Sequence, residues 1–399
     1  MPKPFEAVRI SERVYWVGAV DWEIRNFHGY STRRGTTYNA YLVLADEITL
    51  IDTVKAPFMG ELMSRIASVV DPRDIKVVVS NHAEMDHSGS LPDVVKAVKP
   101  REVIASTMGA KALADHYHDL TGVVAVKDGE RKSLGNMSLT FLETRMLHWP
   151  DSMVSYLAEE EILFSQDAFG MHLASHERFD DEIDPAVLEQ EARKYYANIL
   201  MPFSPVVTKA LARFAELALP TKLVAPDHGP IWRKDIRGIT ESYGRWAAQR
   251  PTRKAVVAYD TMWKSTALMA RAIGDGLAGA GAVPVLLPLS SADRSEVATE
   301  VLDAGALLVG SPTINGQMFP TVADALTYLK GLKPANLVGA AFGSYGWSGE
   351  GALHVHEALK DMKVELVAEP LRVKYVPSEE HLMSARNLGR DVATRLLRT

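Results

Sequence analysis

Residues 81–87 read Asn81-His82-Ala83-Glu84-Met85-Asp86-His87. They follow directly on Ile75–Ser80, a valine-rich run that predicts a buried strand. In an extended segment, residues two apart share a side, so His82, Glu84 and Asp86 are expected to converge, with His87 reaching in from the turn. Two imidazoles and two carboxylates this close together suit a hard or borderline metal ion. The plainer alternative is a polar loop of solvated charges.

Three residues further along extend the pattern. His148 follows the predicted strand Leu139–Leu142, within Leu147-His148-Trp149-Pro150-Asp151. Asp167 ends the predicted strand Ile162–Ser165, and His228 follows Leu223–Ala225 within Pro226-Asp227-His228-Gly229. Every candidate thus falls at or soon after a strand end, where α/β folds build their sites. The surrounding sequence is strand-rich. Residues 37–52, TYNAYLVLADEITLID, read as two strands joined at Asp46-Glu47. A similar pair runs from Met153 to Asp167 with a turn near Glu159, and the likeness of the two hints at an internally duplicated sheet. Another strand is expected at Val103–Ala105, and helices at Met59–Val69, Pro92–Val98 and Ala186–Leu200.

The chain divides near Arg250-Pro251-Thr252-Arg253, where a helical pattern over Ile239–Gln249 meets a proline. Beyond it strands and helices alternate. Strands are expected at Ala255–Tyr259, Val283–Leu289, Ala306–Gly310, Leu337–Ala341 and Val364–Ala368. The helices are Ala267–Ala280, Arg294–Asp303, Thr321–Leu332, Glu350–Lys363 and Glu379–Leu397. This is the pattern of a doubly wound parallel sheet of flavodoxin type.

Composition bounds the chemistry. The 399 residues are 47% hydrophobic and 24% charged, which is globular and excludes disorder and fibrous repeats. The net charge of −6 carries no footprint for nucleic acid or an anionic membrane. The longest charge-free stretch, Ala304–Ala323, is broken by Ser311-Pro312, Asn315-Gly316 and Pro320, so no membrane span is expected. The first residues contain no apolar core of a signal peptide, and a cytoplasmic location is expected. There is no cysteine. That excludes disulfides, thiolate nucleophiles and thiolate-bound zinc, iron or iron–sulfur clusters. Any metal must sit on His, Asp and Glu.

The run from His82 to His87, with the later His148, Asp167 and His228, resembles the H-x-H-x-D-H pattern of the metallo-β-lactamase superfamily over roughly residues 30–230. One position departs: Glu84 stands where that motif has a second histidine. An acidic ligand hardens the site and moves its preference from zinc toward iron. With a flavodoxin-like second half, the whole chain resembles the flavodiiron proteins, or A-type flavoproteins. The resemblance implies a metallo-β-lactamase-like αββα sandwich over residues 1–250 and a flavodoxin-like FMN-binding domain over residues 251–399. It implies one iron on His82, Glu84 and His148, a second on Asp86, His87 and His228, and Asp167 bridging both. His87 is open to another reading, turned away with water in its place. The three carboxylates and a bridging hydroxide would balance two ferrous ions, so the cluster fits a dry pocket. The implied reaction is O2 to water, NO to nitrous oxide, or both, with electrons passing through FMN. With no cysteine for a rubredoxin centre, the expected donor is a separate rubredoxin-like carrier. A head-to-tail homodimer, or a dimer of such dimers, would bring one chain's FMN beside its partner's iron pair.

The flavin loops are read residue by residue. Asp260-Thr261-Met262-Trp263-Lys264-Ser265-Thr266 follows the first strand of the second half, where doubly wound folds hold a phosphate at a helix N-terminus. Thr261, Ser265 and Thr266 offer hydroxyls. The spacing resembles the flavodoxin FMN-phosphate fingerprint and departs at Lys264, which either places charge near the phosphate or points to solvent. No G-x-G-x-x-G is present there, which argues against a dinucleotide. Ser311, Pro312, Thr313 and Asn315 follow the third strand, and Gly343, Ser344, Tyr345, Gly346 and Trp347 follow the fourth. Tyr345 and Trp347 suit contact with a flat ring.

The remaining candidates have two readings each. His28 and His172 either line the substrate pocket or orient a ligand, or else they pack. Tyr195 and Tyr196 either donate a hydroxyl near the metals or pack on a helix face. Asp52 is expected to orient a metal-binding histidine. His116, His118, His354, His356 and His381 lie on helical patterns and are expected to be structural or on the surface. Two rival functions stand beside the oxidoreductase. One is a dizinc hydrolase with a flavodoxin-like accessory domain; the other is a flavin- and metal-binding sensor without turnover.

Overall fold

A computed structural model describes residues 3–398. Packing divides the chain into two units. The first holds the residues up to His28 with Thr32–Tyr195 and Pro205–Gly244; the second holds Gly29–Ser31, Tyr196–Ser204 and the chain from Arg245 on.

The first unit is built on two sheets. One runs β1 (Val8–Arg9), β2 (Val14–Trp16), β3 (Tyr41–Val43), β4 (Thr49–Ile51), β5 (Val77–Ser80), β6 (Glu102–Ser106), β7 (Val123–Val126). The other runs β8 (Arg131–Ser133), β9 (Ser138–Glu143), β10 (Met153–Leu157), β11 (Ile162–Gln166), β12 (Leu223–Pro226). Each contains an antiparallel hairpin, β3–β4 or β10–β11, whose second strand then pairs in parallel with the next. The duplicated pattern of the sequence therefore corresponds to one hairpin in each sheet. Strand side chains alternate between faces. Tyr41, Val43, Ile51, Val77 and Val79 join Phe141, Met153, Leu157, Phe164 and Ala225 in one core between the sheets. Leu42, Leu50 and Val78 point the other way. They pack with Leu62 and Ile66 of α1 (Met59–Ala67) and with Leu91 and Val94 of the later helix Leu91–Val98.

The second unit is a parallel sheet. Its strands are β13 (Lys254–Tyr259), β14 (Val283–Pro288), β15 (Ala306–Gly310), β16 (Val338–Tyr345) and β17 (Glu365–Leu366), in the order β14-β13-β15-β16-β17. The first strand thus lies second in the sheet, and the chain reverses direction of travel between β13 and β15, opening a crevice at their carboxyl ends. The expected strand Val364–Ala368 is wrong in extent. Pairing along β16 is shared by β17 and by β18 (Leu371–Lys374), with Pro370, which has no N–H to donate, in the break. The expected strand Leu337–Ala341 runs on to Tyr345, because its last four residues pair with β18.

Three other local expectations fail. Asp86 is not extended; with His87 it lies on the one-turn helix α2 (Met85–Ser88), which Glu84 enters from an extended conformation. The expected helix Ala186–Leu200 ends at Tyr195 and continues as a π-helical turn over Tyr196–Leu200. His118 lies beyond the end of the helix Thr107–His116. Among the described residues, no helix is long and apolar enough to cross a membrane.

Candidate metal and flavin sites

The metal candidates come from five places at the strand ends of the first unit. His82 and Glu84 lie on the loop after β5, and Asp86 and His87 on α2. His148 follows β9, Asp167 follows β11 and His228 follows β12. Their ligand atoms form two groups, His82–Glu84–His148–Asp167 and Asp86–His87–His228, each with all atoms within 4.8 Å of one another. Helix α2 makes this possible: a helical turn swings Asp86 and His87 away from the side that His82 and Glu84 share.

Asp167 faces both groups with different oxygens. Its Oδ2 lies 3.4 Å from His82 Nε2 and 3.2 Å from His148 Nε2. Its Oδ1 lies 3.2 Å from His87 Nε2 and 3.7 Å from His228 Nε2. Glu84 Oε2 is 3.3 Å from both His82 Nε2 and His148 Nε2. Asp86 Oδ1 is 3.3 Å from His87 Nε2, and its Oδ2 is 3.1 Å from His228 Nε2. All four rings turn Nε2 inward. His87 is therefore aimed into the cluster rather than turned out of it.

This is a cradle for positive charge. Burial disfavours a charged His82, yet its hydrogen bonds to Asp151 and Glu84 and the charge of Asp167 push it up to about 10. Burial would raise Glu84 and Asp86, but the facing histidines hold both at about 2. Among the described residues, the buried atoms Asp86 Oδ1, His87 Nε2 and Asp167 Oδ2 have no hydrogen-bond partner. Two nitrogens and two carboxylates meet on each side when Asp167 is counted twice. That donor set fits a pair of divalent first-row metal ions.

The supports behind the ligands were only partly read from sequence. Asp52 does not reach a histidine. It accepts from Asn81 N at 2.7 Å and Asn81 Nδ2 at 2.8 Å, and so holds the turn that leads into His82. The orienting role belongs to Asp151, whose Oδ2 accepts from His82 Nδ1 at 2.9 Å and from Ala83 N at 2.7 Å. His228 Nδ1 donates to the Thr37 carbonyl at 2.6 Å. Tyr195 donates to Asp167 Oδ1 at 2.8 Å. Tyr196 lies in the other unit, its hydroxyl 3.1 Å from Ser204 Oγ. His172 is buried and bonded to Thr36 Oγ1 at 2.9 Å, with its ring against His228; burial holds it neutral, well below its ordinary range. His28 is exposed, with Nε2 3.8 Å from Glu84 Oε1.

In the second unit, a cavity of about 550 Å³ opens at the carboxyl ends of the strands. Of the residues expected there, Met262, Trp263, Ser265, Pro312, Thr313, Asn315, Ser344, Tyr345, Gly346 and Trp347 line it. Thr261, Thr266, Ser311 and Gly343 are not on its lining. Thr266 Oγ1 is bonded to Ser344 Oγ at 2.9 Å, and Ser311 Oγ takes the Phe319 N–H at 2.8 Å. Thr261 N donates to Asp260 Oδ1. Gly343 packs its bare Cα against the Ser311 carbonyl. Lys264 is exposed, caps the helix α3 (Ser265–Gly279) and takes a left-handed φ of 68°. The lining also includes Tyr375 and Val376, which sequence reading missed. They follow β18, a strand that the break at Pro370 concealed.

Family models match both units: the ODP family beta lactamase over residues 36–229 and flavodoxin over residues 257–389. A nitric oxide reductase of Moorella thermoacetica is 48% identical over 98% of this chain and 99% of its own. A rubredoxin-oxygen oxidoreductase of Megalodesulfovibrio gigas is 43% identical over 98% of both. The crystal structure of the flavodiiron protein from Giardia intestinalis superimposes with a TM-score of 0.95 at 36% identity, covering 100% of this chain and 98% of that one.

The chain belongs to the flavodiiron family. Glu84 is the position at which this site departs from the H-x-H-x-D-H pattern. We expect Glu84→His to weaken iron binding and favour zinc while leaving the first unit folded, because it replaces a hard anionic donor with a neutral one. Elemental analysis and circular dichroism of the purified variant check this; unchanged iron content would remove the role given to Glu84.

Proposed function

We propose that this chain reduces O2 to water, NO to nitrous oxide, or both, using FMN in the second-unit cavity and two non-haem irons in the first unit. The observation that carries the reading is the Asp167 carboxylate, one oxygen toward each ligand group. When bound, FMN supplies single-electron steps and the iron pair a redox-active Lewis acid. His82, Glu84 and His148 would hold one iron, Asp86, His87 and His228 the other, and Asp167 both. Tyr195 fixes the rotation of Asp167 through its hydroxyl. Phe27 lays its ring against His172, helping to keep water from that flank. In the cavity, Tyr345, Trp347 and Tyr375 offer aromatic faces, and the start of α3 offers backbone N–H groups to a phosphate.

The protein divides the work near residue 250, and the two family matches fall on either side of that point. It takes its electrons from a rubredoxin-like carrier, in keeping with the name of the M. gigas relative. It works in the cytoplasm, a location that cell fractionation tests. It pairs chains head to tail, as a dimer or a dimer of dimers, so that FMN of one chain serves the irons of its partner. Two inactive variants test the pairing: His82→Ala with Asp167→Ala in one chain, and an FMN-free variant in the other. Co-expressed, they are expected to regain part of the activity. Verified mixed dimers without activity would refute it. Metal and flavin content test the rest. Yellow protein with about two irons per chain is expected; colourless protein with zinc would favour the hydrolase.

A further inference from the structure

Three of the four inward-facing histidines have an oxygen behind Nδ1. For His82 it is Asp151 at 2.9 Å, and for His228 the Thr37 carbonyl at 2.6 Å. For His87 it is Asp227, whose Oδ2 stands 3.4 Å from Nδ1. Asp227 is completely buried. Its main chain is tied down on both sides, N–H to the Gln166 carbonyl at 2.9 Å and C=O to the Asn39 N–H at 2.7 Å. Its carboxylate is the opposite case: among the described residues, neither oxygen has a hydrogen-bond partner, and neither has His87 Nδ1. A buried carboxylate without a donor costs several kcal/mol, so core packing gives no reason for an aspartate here. A ring nitrogen that lacks an acceptor and a carboxylate that lacks a donor face each other across 3.4 Å, a few tenths beyond a normal N–H···O contact.

We propose that Asp227 is the positioning residue for His87: its carboxylate accepts a hydrogen bond from Nδ1–H, fixes the tautomer that presents the Nε2 lone pair, and so sets the affinity of the metal site formed by Asp86, His87 and His228. The inference rests on the two-metal reading above and adds to it a division of labour. Asp151 stands behind the site of His82, Glu84 and His148, and Asp227 behind the other. Each metal thus has one histidine backed by a carboxylate, an arrangement that raises ligand basicity and holds the ring in place.

The test is an anaerobic titration of the metal-free full-length protein with Fe(II), with Co(II) as a spectroscopic probe. Two equivalents bound by the unaltered chain check the two-metal reading itself. Asp227→Asn keeps shape and removes charge. It is expected to weaken one equivalent by about 10–100-fold and leave the other within about threefold. Asp151→Asn is expected to weaken the other equivalent instead, and the Co(II) spectra of the two variants should differ. In a His87→Ala background Asp227→Asn should have no further effect on metal affinity, because its route of action is gone. If Asp227→Asn does not fold, the smaller Asp227→Ser is titrated with the same outcomes expected. Equal weakening of both equivalents, no weakening, or a full additional loss in the His87→Ala background would each overturn the proposal.

Discussion

Asp167→Ala is expected to empty both metal positions at once. The carboxylate is the only described side chain that reaches both ligand groups, with Oδ2 toward His82 and His148 and Oδ1 toward His87 and His228. Removing it deprives each ion of an anionic donor. It also leaves the Tyr195 hydroxyl, now donating to Asp167, without that acceptor. Changes outside the ligand shell cost about 10–100-fold in metal affinity, so losing a ligand shared by two ions should cost each at least about 100-fold. His87→Ala is the contrast, because its Nε2 faces one group only. It should weaken one ion and leave the other in place. Metal analysis of both variants after identical purification checks this. Two irons retained by Asp167→Ala would show that the carboxylate does not bridge.

The second large effect is expected from Gly343→Val, which should remove FMN while sparing the metals. Gly343 lies on β16 beside Ser311, and a Cβ there would be driven into the Ser311 carbonyl oxygen, with Ala352 also close. Backbone cannot move aside as a flexible side chain can. Ser311 and Gly343 sit at the roots of two of the loops that line the cavity, so the clash falls on the flavin site. We expect a loss of about 3 kcal/mol in the second unit, typical of severe overpacking, and FMN content reduced more than tenfold. The candidate metal ligands all lie in the first unit, and any ions they hold should stay in place. Absorbance and iron content of one preparation measure both. FMN retained at full occupancy would mean that the loops tolerate the displacement and that the close approach at Gly343 does not shape the site.

What the sequence revealed and what it hid follow from the range of the interactions involved. His82, Glu84, Asp86 and His87 are within six residues of one another, and such local density of ligand chemistry can be read directly. Their conformation was less legible. An extended segment and a one-turn helix both bring four ligands close, and only the rest of the fold decides between them. Asp151 and Asp227 stand next to Pro150 and Pro226, where aspartate is an ordinary turn residue. The histidines they face, His82 and His87, lie far away in the chain, and no local pattern reports that. Asp52 drew attention because it closes a strand, yet its partner proved to be Asn81. In the second unit the alternation of strand and helix was plain, since parallel strands buried on both faces are continuous apolar runs. The split last strand was not, and with it Tyr375 and Val376 were missed.

The most direct test of the account is the reaction of the fully reduced protein with its proposed substrates. The protein, loaded with FMN and two irons, is reduced without oxygen and mixed with limiting O2 or NO in separate experiments. Flavin oxidation is followed by absorbance, and the products are measured. Rapid flavin reoxidation is expected with at least one of the two, yielding water with no hydrogen peroxide from O2, or one nitrous oxide for every two NO. The Asp167→Ala protein, still yellow, should not do this. Reoxidation that releases hydrogen peroxide, or that proceeds equally well in Asp167→Ala, would place the chemistry on the flavin alone and rule out the iron pair as the reacting centre.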